Sequence, residues 1–290
     1  KLGKDFFHVQ VGLIASFLYA VAPLMITSGR SSWNPNVVPF FSVVLIYSLL
    51  QIIVRKKYKW FVVLGLSLGI LIQLHYVTLL FVPVVAASLY LKRFKFPFKS
   101  YMTAFGAFII SYSPFLLFEL RHQFVNMQAV FRFVLQQKTD ATSPIIFQFW
   151  NVLNDVFVRL FWRLLILNSA ELTKLFILFL FFVLVVYFRN FIKSKEEKLA
   201  FKIIIIWLGM GVISFGLYHG VIYDYYFGSL FAVPFILCAI MLFTLWKYAK
   251  TTKVLAIMIF IAICYQFFIK SPLHLTPNNL LANTKEIAEF

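Results

Sequence analysis

Charge is what this sequence has least of. Only 13% of its 290 residues are Asp, Glu, Lys or Arg, against roughly a quarter in an ordinary soluble domain. Too little charge is present to clothe a water-facing surface, which excludes a soluble enzyme and a disordered chain alike. Cysteine is nearly absent too. Cys238 and Cys264 both sit in apolar runs and read as small hydrophobes, so no disulfide framework exists. Acidic residues number 10 against 27 basic ones, and the formal charge is +17. No phosphate-cradling Gly-rich loop, GxSxG elbow, HExxH or CxxC occurs. What fills the chain instead is apolar: 62% hydrophobic, 20% aromatic, mean hydropathy +0.89. In such a chain the positive excess marks cytoplasmic loops and anionic headgroups, not nucleic acid. The composition is that of an all-α, polytopic integral membrane protein.

Apolar runs of helical length divide the chain at about 9–27, 37–54, 101–117, 175–188, 203–223, 227–246 and 254–268. Lys and Arg then set the orientation. With the first residues in the cytoplasm, alternation places Arg55–Lys59, Lys92–Lys99, the 189–202 loop and Lys247–Lys253 on the same side. Most of the 27 basic residues fall there.

One stretch does not fit a simple alternation. From Trp60 to Leu91 no side chain is charged, yet basic clusters flank both ends. Both ends then belong to the cytoplasmic side, and the chain must turn back near Gln73-Leu74-His75-Tyr76. Two arms of about 16 residues, about 24 Å each, fall short of a roughly 30 Å hydrocarbon core. The polar tip of such a hairpin stays below the outer surface, covered by protein or lining a wet cavity. With this hairpin the expected count is about nine membrane helices.

A long outer segment follows. In it Gln148, Asn151, Asp155, Arg159 and Arg163 recur at helical spacing as one polar stripe opposite an apolar face. Asp155 and Arg159 can pair at i,i+4. The expectation is an amphipathic helix over about 145–167 lying in the membrane interface. Residues 1–270 then form the membrane domain, and 271–290 begin an extracytoplasmic segment.

Polar residues gather on the outer face in four places. The first loop, Ser28 to Asn36, carries Arg30 and Asn34; Arg30 either grips a phosphate or snorkels to headgroups. His75 and Tyr76 mark the hairpin tip, as a buried site or as a satisfied structural pair. Glu119, Arg121 and His122 close another span, as an acceptor-handling cluster or an interfacial ion pair. Two ligands at i,i+3 are too few to argue a metal site. The last is Tyr218-His219-Gly220 with Tyr223-Asp224-Tyr225-Tyr226, either an aromatic belt or a cavity wall with Asp224 as base. No Asp or Glu occupies the middle of a span, which argues against an ion-coupled transporter.

Four segments carry a family resemblance: GLIASFLYAVAPLMITSGRSSWNPN, GLSLGILIQLHYVTLLFVP, SPFLLFELRHQF and YDYYFGSLFAVPF. Together they resemble the polytopic GT-C glycosyltransferases that use polyprenyl-phosphate sugars, in the branch of protein O-mannosyltransferases and aminoarabinose transferases. The resemblance implies inverting sugar transfer from a membrane-embedded donor to an envelope glycan, lipid or protein acceptor. That transfer would take place outside the plasma membrane of a prokaryote. The donor's lipid phosphate removes the need for a nucleotide domain, and no cofactor is called for, with a divalent metal left open. Arg30 or Arg121 would meet the phosphate, with Asn34, His75, Tyr76, His122, Tyr223 and Tyr226 as supporting cavity residues. Glu119 and Asp224 are the local base candidates. If the first span matches the family's third helix, its usual catalytic Asp is expected upstream of Lys1. The chain would then be a piece of a longer protein, inactive alone. The rival functions are a transporter or flippase of lipid-linked glycans, and a polymerase or ligase acting on them.

Overall fold

The computed structural model describes residues 1–136, 150, 152–216, 222–274, 285 and 288; among them every regular element is helical. In chain order the helices are α1 (Leu2–Phe6), α2 (Val9–Val21), α3 (Pro23–Gly29), α4 (Val38–Ile53), α5 (Trp60–Leu74), α6 (Phe81–Tyr90) and α7 (Phe98–Arg121). There follow α8 (Val125–Gln136), α9 (Val158–Phe161), α10 (Ala170–Val186), α11 (Lys195–Gly216), α12 (Ala232–Tyr248) and α13 (Lys250–Ile269). Among the described residues, five helices are long and apolar enough to cross a membrane, or seven if each of two bent pairs is one span. Two shorter apolar helices, Trp60–Leu74 and Tyr76–Tyr90, occupy the uncharged stretch. Most of residues 275–290 lie outside the described residues.

Proline and polar caps set the breaks. Pro23 opens α3 where its missing amide costs nothing, and it holds Ala22 extended, bending α2 and α3 by 64°. The 3₁₀ turn Asp224–Leu230 meets α12 at 57°. Ser169 accepts the Leu172 amide at 3.1 Å to start α10. The core is built on α12, which is buried at every position from Ala232 to Leu242 and packs against α2, α10 and α13. A helix apolar all round belongs in the centre of a bundle. Trp207 ties α11 to the 3₁₀ turn before α12, its buried indole N–H donating to Ser229 O at 2.9 Å. At the periphery, α7 buries only Ala107 and Glu119, as a lipid-facing helix would.

The uncharged stretch does turn back. Gly65 and Gly69 of α5 face Ala104, Phe108 and Ser111 of α7, so closely that a Cβ on Gly65 would lie 2.0 Å from Ala104 O. Gln73 Nε2 donates to Ser111 O at 2.6 Å. Contacts ascending in step mean that α5 and α7 run parallel, so the chain between them must return, and Tyr76–Tyr90 is the return limb. Phe96 closes the other end, 5.9 Å from Tyr58 and 5.6 Å from Phe61. Arg55–Lys59 and Lys92–Lys95 therefore share one end of the bundle, the lysine-rich end. The opposite end carries the cluster of Tyr223, Tyr225 and Tyr226 and is the tyrosine end.

The interfacial helix is corrected. Gln148 and Asn151 lie outside the described residues. Leu153–Ile166 is a π–α–π segment whose apolar side chains, among them Val156, Leu160, Phe161, Leu164 and Leu165, are buried. It packs on α10, α11 and α12. Protein, not lipid, covers its apolar face.

Candidate functional site

A cavity of about 570 Å³ opens at the tyrosine end. One wall is the end of α3 and the turn after it, through Thr27, Ser28, Ser31, Trp33 and Asn36; the other is Ile222 to Tyr225, with Arg159 between. The turn is stiffened from within. Asn36 Nδ2 donates to Ser31 O at 2.9 Å and to Ser31 Oγ at 2.7 Å. Asn34 and Pro35 open the 3₁₀ turn that packs on Asp224–Leu230. Trp33 and Tyr225 lie ring to ring at 4.5 Å across this contact.

Asp224 is the acidic side chain among the described lining residues. Arg163 Nε donates to its Oδ2 at 2.6 Å, while Arg159 Nε stands 3.8 Å from Oδ1. Arg159 also donates to Ile222 O at 2.8 Å, lies 5.0 Å from the Phe227 ring centroid and pairs with Asp155 at 3.4 Å. The expected i,i+4 pair is thus present. Two aspartates and two arginines balance one another, so the cluster fixes the carboxylate's position and adds no net charge. Oδ1 keeps lone pairs beyond hydrogen-bond range of its guanidinium.

The hairpin tip joins this cluster. His75 stands 5.0 Å from Tyr226 and 5.7 Å from Tyr225. Its backbone is extended, its Nδ1 accepts the Val77 amide at 3.2 Å, and its carbonyl accepts the Thr78 hydroxyl at 2.7 Å. The ring therefore has a structural role as a cap as well as a place in the cluster. Tyr225 and Tyr226 meet edge to face at 4.6 Å, and Tyr223 stacks on Tyr225 at 5.7 Å. No family model, curated protein or solved structure matches this chain. The site therefore rests on its own geometry.

That geometry redistributes the candidates. Tyr223, Asp224, Tyr226 and His75 are brought together. Tyr76 lines a separate cavity of about 300 Å³ with Leu80, Pro83 and Phe215, within electrostatic reach of Glu119. Glu119 itself is buried and occupied. It accepts from Asn126 Nδ2 at 2.7 Å and from the Met127 amide at 3.0 Å, capping α8. His122 stacks on Phe118 at 4.1 Å, its Nδ1 2.8 Å from Phe118 O. Arg121 is exposed. Those three close α7 and do not line the tyrosine-end cavity. Arg30 does not line it either: it is exposed on the turn between Ser28 and Ser31, with no ion pair among the described residues. Tyr218, His219 and Gly220 lie outside the described residues. Arg159, Arg163 and Trp33 were missed as site residues. The i,i+4 arginines were visible, but nothing in the sequence says that Asp224 is their partner 61 residues on. Among the described residues no three His, Cys, Asp or Glu side chains converge as a metal site needs.

Proposed function

We propose that this chain is a membrane glycosyltransferase. It moves a sugar from a polyprenyl-phosphate donor to a cell-envelope acceptor on the extracytoplasmic side of a prokaryotic plasma membrane, at its tyrosine end. The observation that carries the reading is the 570 Å³ cavity with one positioned carboxylate, a wall of Trp33, Tyr223 and Tyr225, and Arg30 on its bordering turn. Aromatic faces suit the C–H faces of a pyranose, and a few fixed polar groups orient it. Asp224 Oδ1 would take the acceptor hydroxyl's proton as its oxygen attacks the anomeric carbon from the face opposite the phosphate. The anomeric carbon–oxygen bond breaks with its electron pair going to the polyprenyl phosphate. Arg159 and Arg163 hold Asp224, and Arg30, which has no ion pair among the described residues, meets the departing phosphate, where positive charge is worth most. Glu119 is left as a capping residue.

Purified protein in vesicles with polyprenyl-phosphate hexose tests this. Donor retention should fall in Arg30→Ala. Asp224→Asn should keep donor while lowering sugar transfer in the presence of acceptor by about 10²- to 10⁴-fold. Donor that crosses between leaflets without release of polyprenyl phosphate would instead identify a flippase, and polyprenyl-phosphate sugar that is neither held nor consumed would sink the proposal.

A further inference from the structure

Two adjoining cavities at the lysine-rich end lie apart from the site above. The first, about 370 Å³, is enclosed by the residues before α2, the end of α10, the start of α11 and the last turns of α12. Glu197 and Lys247 both line it. The Glu197 carboxylate accepts the hydroxyl of buried Tyr187. Lys247 lies 5.9 Å from the Phe243 ring centroid and makes no ion pair among the described residues. An anion and a cation thus face one space without neutralising each other. His8 adds a donor. Its Nδ1 accepts the Gln10 amide at 3.2 Å, which leaves the proton of the neutral ring on Nε2. The remaining wall is aromatic, through Phe7 and Phe191.

The second cavity is an apolar groove of about 340 Å³ between α2, α12 and α13, lined by Leu13, Leu242, Trp246, Ile257 and Phe260. It shares Phe243 with the first, and His8 stacks on that ring at 4.6 Å. Leu13 is 64% exposed, so the groove opens to the outside of the bundle. A ligand that answers the pair carries a cation and an anion attached to an apolar tail.

We propose that these cavities form a binding site for a phospholipid with a primary-ammonium headgroup of the phosphoethanolamine type. Lys247 and the His8 Nε2–H take the phosphate. Glu197 takes the ammonium, whose N–H groups it can accept, against the rings of Phe7 and Phe191. One acyl chain lies in the groove. A purely anionic lipid would set its phosphate near Glu197 with no cation to answer it, and a choline headgroup would offer Glu197 no N–H. The first leaves the charge of Glu197 unmatched, and the second leaves its carboxylate without a hydrogen-bond donor.

Native mass spectrometry of the full chain, given an equimolar mixture of phosphatidylethanolamine, phosphatidylcholine and phosphatidylglycerol with identical chains, tests this. Phosphatidylethanolamine should be retained about tenfold over the other two, the ratio worth about 1.4 kcal/mol. Lys247→Ala should lower that retention about tenfold, and Glu197→Gln should erase the preference. Leu13→Trp with Ile257→Trp should lower retention of all three lipids alike, and free phosphoethanolamine should not compete. Lys247 is exposed, so its variant keeps the test open even if Glu197→Gln unfolds. Equal or greater retention of phosphatidylglycerol, or unchanged retention in a folded Lys247→Ala variant, overturns the proposal.

Discussion

The contact between α5 and α7 gives a graded test of the fold, because the three glycines of these two helices, two in the contact and one outside it, meet three different surroundings. A Cβ on Gly65 would lie 2.0 Å from Ala104 O and 2.9 Å from Ala104 C, all backbone. Ordinary contact needs about 3.4 Å, so Gly65→Ala must drive the helices apart by about 1.4 Å or strain them, at about 1–3 kcal/mol. That displacement also pulls on the Gln73 to Ser111 hydrogen bond. At Gly69 the nearest atom is Ser111 Oγ at 2.1 Å, a side-chain end that can rotate away, while Phe108 O at 2.9 Å cannot. Gly69→Ala should therefore cost less, about 1 kcal/mol. Gly106 on α7 has nothing within 4 Å of the new Cβ, and alanine is the better helix former by about 1 kcal/mol, so Gly106→Ala should be neutral or stabilising. Reversible unfolding in mixed micelles, followed by tryptophan fluorescence, reads all three. A flat series, or Gly106→Ala as the worst of the three, refutes the parallel glycine-mediated packing.

Other expectations follow from single contacts. Arg30→Ala should reduce donor retention without moving the melting temperature, since Arg30 has no ion pair to lose among the described residues; unchanged retention removes it from the site. Trp207→Phe should destabilise by about 1–3 kcal/mol, because it strands the buried Ser229 carbonyl, and an unchanged unfolding midpoint would contradict this. Asp5 should give an acid limb to stability. The Tyr47 hydroxyl bonded to it at 2.6 Å, with Arg55 alongside, holds its carboxyl below the usual 3.8. A lowered native value means a contribution present above about pH 4 and lost as pH falls through the native value. Asp5→Asn should flatten that limb in melting curves.

How much of this the sequence disclosed depends on the range of the interaction. The turn-back near His75 was legible because electrostatics flags it: two basic clusters with no charge between them admit few topologies. The run at 227–246 was legible as a span, but its central position in the bundle was not, because the other runs are nearly as apolar. The glycine pair that binds α5 to α7 sat in view, but its partner helix was not visible, because close approach of two backbones leaves no mark on the second helix beyond small residues. Glu119 looked like chemistry and is a cap, since its partners at Asn126 and Met127 lie across a turn that spacing alone does not fold. The polar stripe of residues 155–163 pointed toward solvent on paper. In the structure Arg159 and Arg163 turn to Asp224, and the apolar side that suggested a membrane surface is spent on protein.

The return limb between α5 and α7 also bears on how the chain reaches its final place. Both flanks of the Trp60–Leu91 stretch end in lysine and arginine on the same side, and nothing charged lies between them. The pair can slide into a bilayer from one face as a closed loop, tip first, without moving either basic cluster through hydrocarbon. At its leading point His75 already answers two of the amides that the break exposes, that of Val77 with its ring and that of Thr78 with its carbonyl. What enters is a wedge that carries its own hydration substitute, and α7 can then lie down along its glycine side once the wedge is in.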